Sequence, residues 1–222
     1  MADNLTAVQT RIAAACSTYD RDPASVHLLA VSKTKPGSLV RAALLEGQRD
    51  FGENYLQDAI AKVESMGKEP TWHFIGAIQS NKTRPIAENF AWVHTVGSEK
   101  VARRLNDQRP EGLPPLKIFL QVNIDEDPDK SGFAPNALED ALTNILAHPN
   151  LSLQGLMTLP KQRQGLAAQR EPFRALRLLQ QKLCPEQAEL SMGMSGDLEA
   201  AIAEGATWVR IGTDIFGARE TQ

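Results

Sequence analysis

Eight short apolar runs alternate with helical patterns along the chain, and this alternation constrains the fold more than any other feature. The runs predicted to be strands are Leu28–Val31, Arg49–Phe51, Trp72–Ile75, Trp92–Val96, Leu116–Asn123, Leu151–Met157, Glu189–Met192 and Trp208–Ile211. Strands that alternate with helices pair in parallel. Eight such units predict an α/β fold, a (β/α)8 TIM barrel that forms a single domain over residues 1–222. A doubly wound open sheet is the alternative.

An additional helix is predicted before the first strand. Asp3 or Asn4 can cap it, it reaches about Tyr19, and Leu5 and Val8 lie on its apolar face. Little chain remains after the last strand for a full closing helix. We therefore expect the extra N-terminal helix to cover that gap.

Composition excludes several classes of protein. With 42% hydrophobic residues, the chain can bury a core without disulfides or metals. A net charge of −3 provides no general attraction to nucleic acid or to anionic membranes. Cys16 and Cys184 lie far apart in the sequence, which suits two free thiols in a reducing compartment; a disulfide between them is the alternative. Without a signal-peptide pattern or an apolar run of about 20 residues, we expect a cytoplasmic protein.

A lysine stands at the end of the first apolar run. Lys33 follows Leu28–Val31 closely, and Pro36 and Gly37 then turn the chain toward the next helix. Burial disfavours the ammonium form and makes a neutral, nucleophilic amine easier to reach. Such an amine can form a Schiff base with a carbonyl ligand. The alternative is a lysine that extends into solvent.

The loops after the last two strands combine small and hydroxyl residues. Ser191–Gly196 precedes a predicted helix, and Gly212 and Thr213 follow the eighth strand. Phosphate sites in barrels are frequently built from these two loops, although Ser and Gly also form ordinary caps and turns. A lysine for a carbonyl together with a phosphate site suits pyridoxal 5′-phosphate (PLP) or a phosphorylated sugar.

Arg210 favours the first of these ligands. It stands two residues before Gly212, so strand alternation places it on the same side. A permanently charged guanidinium beside a pyridine nitrogen keeps that nitrogen unprotonated and restrains carbanion chemistry. The alternative is a pair between Arg210 and a carboxylate such as Asp214.

Motifs over nearly the whole chain resemble one family, the pyridoxal phosphate homeostasis proteins, which are single-domain relatives of the alanine racemase barrel. The matching segments are Leu28–Pro36, Phe51–Tyr55, His73–Gly76, Gln79–Lys82, Lys130–Phe133, Gly155–Met157, Leu190–Asp197 and Val209–Gly217. The resemblance implies PLP held as a Schiff base on Lys33, with Arg210 facing the pyridine nitrogen. It implies phosphate contacts from Ser195, Gly212 and Thr213. Further cofactor-binding residues at matching motif positions are Asn54, His73 and Met192.

The chain also departs from the racemases. Alanine racemases have a second, β-rich domain and a catalytic tyrosine from a partner subunit, whereas the tyrosines here are Tyr19 and Tyr55. Racemization needs an acid/base group on each face of the substrate. We interpret His73 and His94 as structural, so no catalytic residue and no metal ligand is predicted.

We therefore predict a monomeric PLP carrier that regulates vitamin B6 and amino-acid pools, with PLP-dependent apo-enzymes as possible recipients. A weak PLP-dependent amino-acid racemase and, more distantly, a Schiff-base aldolase are the alternatives.

Overall fold

Eight parallel strands close into a barrel in the computed structural model, which describes residues 1–218. The strands are β1 (His27–Val31), β2 (Asp50–Glu53), β3 (Thr71–Phe74), β4 (Trp92–Val96), β5 (Leu116–Gln121), β6 (Leu151–Met157), β7 (Glu189–Ser191) and β8 (Trp208–Ile211). Each pairs with the next in the chain, and β8 pairs with β1. The predicted barrel is thus confirmed over the open sheet. The predicted domain end at residue 222 lies outside the described residues.

Helices cover the outside of the barrel. Those of the described residues are α1 (Ala2–Thr18), α2 (Gly37–Leu45), α3 (Leu56–Met66), α4 (Thr83–Asn89), α5 (Glu99–Gln108), α6 (Leu138–Leu146), α7 (Leu166–Leu183), α8 (Leu198–Ala203) and α9 (Thr213–Phe216). Across residues 1–218, none of the helices has the length and apolar character needed to cross a membrane.

The N-terminal helix compensates for a short final helix. Among the described residues after β8, up to residue 218, the one helix is the four-residue α9, which is too short to cover the strand. Helix α1 packs there instead: the Asn4 side chain donates to the Ile215 carbonyl at 2.9 Å, and Arg11 pairs with Asp214 at 2.7 Å. Leu5 and Val8 are buried, as their spacing predicts. The predicted role of the extra helix is therefore confirmed.

The core has two parts. A large apolar layer lies between the strands and the helices. A smaller cluster fills the barrel itself and consists of Leu29, Trp92, Phe119, Met157 and Trp208. A Cβ at Gly52 would lie 2.9 Å from the Ile75 side chain, so a glycine makes room for this interior packing.

Local differences from the predicted bounds occur at helix starts. The sequence pattern predicts helices from Asn81 to Asn89 and from Asn136 to Ala147, but residues 80–82 and 135–137 form 3-10 turns before α4 and α6. Such turns are common at helix N-termini. The sequence pattern also predicts a long helix from Arg163 to Leu183 with an interruption near Pro172, and both the start and the interruption are wrong. Gly165, with a φ of 80°, precedes the first residue of α7, and the helix then continues through the buried Pro172.

Candidate functional site

A cavity of about 270 Å3 lies at the carboxyl ends of the strands, where barrels bind ligands. Six of the predicted site residues line it together: Lys33, Asn54, Ser195, Arg210, Gly212 and Thr213. They lie at the ends of four strands, β1, β2, β7 and β8, and closure of the barrel brings them together. The remaining walls are formed largely by Val31, Ile75, Met157, Leu159, Met194 and Gly196.

A tight turn fixes the position of Lys33. The buried Ser32 follows β1, and its carbonyl accepts a hydrogen bond from the Lys35 amide at 3.1 Å. Thr34 has a φ of 62°, a left-handed conformation that is uncommon for a residue other than glycine. Lys33 itself is partly buried and lines the cavity. The Lys35 Nζ extends instead to the Ala218 carbonyl, at 2.8 Å.

A buried ion pair supports this turn from below. The Lys62 Nζ lies 2.7 Å from Glu53 Oε1 and donates to the Ser32 carbonyl at 2.8 Å. The Ser32 hydroxyl donates to the same Glu53 oxygen. Burial raises the pKa of Glu53, while Lys62 and Ser32 oppose that shift. Ser32 after β1, Glu53 on β2 and Lys62 on α3 thus anchor the backbone next to Lys33.

The two loops predicted to bind phosphate meet at one side of the cavity. The Asp197 side chain accepts a hydrogen bond from the Met194 amide at 2.6 Å and shapes the loop that carries Ser195. A Cβ at Gly212 would stand 3.1 Å from the Val31 carbonyl, so this loop passes close to β1. Small residues and backbone amides at such a place suit an anion.

Arg210 reaches the cavity from β8 and is almost fully buried. Its Nη1 donates to the Ser191 hydroxyl at 2.8 Å and its Nη2 to the Thr158 carbonyl at 3.0 Å. The alternative pair with Asp214 is wrong, because Asp214 pairs with Arg11. Burial lowers the pKa of Arg210 to about 10, so the guanidinium is charged at neutral pH.

Two predicted side chains do not line this cavity. His73 is fully buried inside the barrel and stacks on Trp92, with ring centroids 5.3 Å apart. Met192 is fully buried in the apolar layer outside the strands. The structure therefore does not bring these two together with the other six, and their predicted contacts with a cofactor stay predictions.

Sequence reasoning missed both the apolar walls and an adjoining space. Val31 and Ile75 form walls because they face inward, a signal that strand alternation carries once the register is known. A second cavity of about 630 Å3 shares Asn54, Ile75 and Leu159 with the first. The Asn54 Oδ1 is buried and has no hydrogen-bond partner among the described residues.

The chemistry of the first cavity is specific. It offers one primary amine, a fixed guanidinium that only donates hydrogen bonds, and a loop region suited to an anion. An aldehyde that also carries a phosphate and a hydrogen-bond acceptor matches all three groups. No carboxylate or imidazole is found among the described residues that line it.

Comparison with known proteins agrees with this geometry. Residues 4–220 match the family model described as alanine racemase, N-terminal domain. The chain is 55% identical over 221 residues to the pyridoxal phosphate homeostasis protein of Pseudomonas aeruginosa, covering 99% of this chain and 96% of that one. It is 44% identical to the Escherichia coli K12 protein of that name, covering 99% and 97%.

A solved relative extends the comparison to three dimensions. PipY of Synechococcus elongatus, whose structure has PLP bound, superposes with a TM-score of 0.80 at 40% identity, covering 93% of this chain and all of that one. Sequence and fold therefore agree that the chain belongs to the pyridoxal phosphate homeostasis protein family, built on the barrel of the alanine racemase N-terminal domain.

Proposed function

We propose that the protein binds PLP in the 270 Å3 cavity and holds it as a Schiff base on Lys33. The observation that carries the proposal is the convergence of Lys33, Arg210 and the Ser195, Gly212 and Thr213 loops on one cavity. The PLP-bound structure of PipY supports the choice of ligand.

The residues of the cavity fit PLP in three respects. The amine of Lys33 can condense with the aldehyde and release water, in a step that hydrolysis reverses. The loops that carry Ser195, Gly212 and Thr213 suit the phosphate. Arg210 presents only hydrogen-bond donors, so it suits an unprotonated pyridine nitrogen. PLP supplies an electrophilic aldehyde and an electron-withdrawing ring, and an unprotonated ring withdraws electrons less strongly.

A carrier role is supported by the groups that surround Lys33. Among the described residues of the cavity, Lys33 is the one side chain suited to accept a proton from a bound amino acid. His73 and His94, the other bases considered, are fully buried inside the barrel. Reversible attachment of PLP without a second base fits a protein that stores the cofactor. Such storage limits the concentration of the free aldehyde and thereby regulates vitamin B6 and amino-acid pools.

Release of PLP to apo-enzymes in the cytoplasm follows from this role. The two described cysteines, Cys16 and Cys184, are buried free thiols, which supports a reducing compartment. We propose that the protein acts as a monomer, and sedimentation velocity would test that state.

A weak amino-acid racemase is the second candidate, favoured by the match to the alanine racemase family model. Assays of D/L conversion separate the two functions. Turnover that is lost in Lys33→Ala would replace the carrier proposal by the racemase.

The proposed attachment is tested by absorption spectroscopy, borohydride reduction and peptide mapping of the purified protein. We expect a yellow protein whose reduction leaves a pyridoxyl group on Lys33. The Lys33→Ala variant should lose this adduct, whereas Lys35→Ala, the matched control two residues away, should keep it. A colourless protein that takes up no added PLP, or an adduct on another lysine, would overturn the proposal. In the first case a sugar phosphate becomes the ligand to test.

A further inference from the structure

A chain of hydrogen bonds crosses the barrel interior from the cavity to the opposite end. Arg210 Nη1 donates to Ser191 Oγ at 2.8 Å, and Ser191 Oγ lies 2.7 Å from His94 Nδ1. His94 Nε2 lies 2.9 Å from His73 Nδ1, and His73 Nε2 lies 3.0 Å from Asp50 Oδ1. Five strands contribute one side chain each: Asp50 lies on β2, His73 on β3, His94 on β4, Ser191 on β7 and Arg210 on β8.

The chemistry of the two ends fixes the direction of every bond. A guanidinium only donates and a carboxylate only accepts. His73 therefore donates from Nε2 to Asp50, so its Nδ1 accepts from His94 Nε2. His94 Nδ1 in turn accepts from the Ser191 hydroxyl, which accepts from Arg210. If His94 Nδ1 donated to Ser191 instead, the Ser191 hydroxyl proton would have no acceptor among these five side chains, because Arg210 cannot accept a hydrogen bond.

This pattern requires both imidazoles to be neutral with the proton on Nε2. Their surroundings favour that state. His73 stacks on Trp92, and His94 packs against Phe119 with ring centroids 4.6 Å apart. Burial lowers the pKa of His73 and lowers that of His94 well below its ordinary value. With both rings neutral, only one set of hydrogen-bond directions gives every donor in this series of side chains an acceptor.

The exposure of the two ends differs. The Asp50 side chain is 29% exposed and lines a separate cavity at the start of β2, whereas the other four residues are buried. Arg210 has a second anchor at the Thr158 carbonyl. The orientation of the guanidinium at the cavity is thus connected to a carboxylate at the far end of the barrel.

We propose that Asp50 is a positioning residue that sets the tautomers of His73 and His94 and thereby fixes the guanidinium of Arg210 through Ser191. Asp50 lies outside the cavity that holds Lys33, so its effect on that cavity passes through the interior side chains. The proposal concerns the protein's own hydrogen bonds and does not depend on the identity of the ligand.

The test is long-range 1H–15N NMR on the cofactor-free full chain labelled with 15N-histidine. The protein has four histidines. The His27→Gln and His148→Gln variants each remove the signals of one histidine, so the signals that remain in both variants belong to His73 and His94. We expect His73 and His94 to be neutral and protonated at Nε2 at pH 7. Protonation at Nδ1 in either residue would overturn the proposal.

Variants at each end then test which residue sets the direction. Asp50→Ala should move part of the His73 population to the Nδ1-protonated form, whereas Asp50→Asn, which keeps an oxygen acceptor, should restore the wild-type pattern. Ser191→Ala should leave both tautomers unchanged, because Asp50 still sets them. Unchanged tautomers in a folded Asp50→Ala variant would overturn the proposal. Altered tautomers in Ser191→Ala would overturn it as well, and this second test does not require Asp50→Ala to fold.

The connection to Arg210 needs its own measurement. In 15N-arginine-labelled protein, the Arg210 Nε–H signal is assigned by its loss in Arg210→Lys. We expect this signal to shift or broaden in Asp50→Ala and in Ser191→Ala, and to stay in place in Asp140→Ala, a control that removes an exposed carboxylate on α6. An unchanged Arg210 signal in both test variants would overturn the positioning role.

Discussion

The Nζ of Lys62 lies 2.7 Å from Glu53 Oε1, and the two side chains form a buried ion pair directly beneath the end of β1. Both also bind Ser32, the residue before Lys33. Because a charge that is buried without its partner is costly, this pair couples the stability of the barrel to the position of the lysine at the cavity.

Removal of one partner should therefore destabilise the protein strongly. We expect Lys62→Met to lower the free energy of unfolding by about 3 kcal/mol or more, because Glu53 is left buried without its cation. Urea unfolding followed by circular dichroism measures the change. The double variant Lys62→Met/Glu53→Gln should recover part of the loss. Lys68→Met, at an exposed lysine just after α3, should change little. Equal stability of Lys62→Met and Lys68→Met would contradict the prediction.

The two interior histidines should make the fold sensitive to mild acid. Burial lowers the pKa of both histidines. Asp50 opposes the shift at His73, whereas Lys117 and His27 add to it. Arg210 adds to the shift at His94. The unfolded chain then binds more protons than the folded protein below pH about 6.5. Stability is thus complete above that pH and falls as the pH decreases.

The expected loss between pH 7.5 and pH 5.5 is roughly 1 kcal/mol for His94, whose pKa lies well below its ordinary value. Unfolding free energies at the two pH values measure it. His94→Gln should show a smaller difference, whereas His148→Gln, at a partly exposed histidine after α6, should keep the wild-type difference. A stability that is constant over this range would count against neutral histidines in the barrel.

Glycines near the cavity should differ sharply in their tolerance of a methyl group. A Cβ at Gly76 would lie 2.0 Å from the Asn54 carbonyl oxygen, so Gly76→Ala must displace the backbone that carries Asn54. Overpacking of this kind typically costs about 1–3 kcal/mol. At Gly196 the same methyl meets nothing within 4 Å, and Gly196→Ala should stay within about 0.5 kcal/mol of wild type. Thermal unfolding compares the two variants, and a Gly76→Ala protein as stable as Gly196→Ala would refute the steric argument.

Local patterns predicted much of the architecture. The bounds of β4 (Trp92–Val96) and of β6 (Leu151–Met157) agree with the prediction. Lys33 and Arg210 were correctly expected at one end of the barrel, because parallel strands of a closed sheet direct their carboxyl ends to the same side. These features depend on periodicity and on the order of elements, which a sequence displays directly.

Other features depended on which side chains meet across the barrel. His73 and His94 read as isolated polar residues in apolar runs, and only the strand register links them to Asp50 and Arg210. Lys62 sits in a helical pattern that gives no sign of its burial against Glu53.

The sequence by itself thus determined the alternation of strands and helices, the barrel and the lysine at its mouth, because each follows from local spacing. The tertiary structure decided the partners of the buried charges and the direction of the interior hydrogen bonds, because these arise from contacts between strands that are distant in the chain.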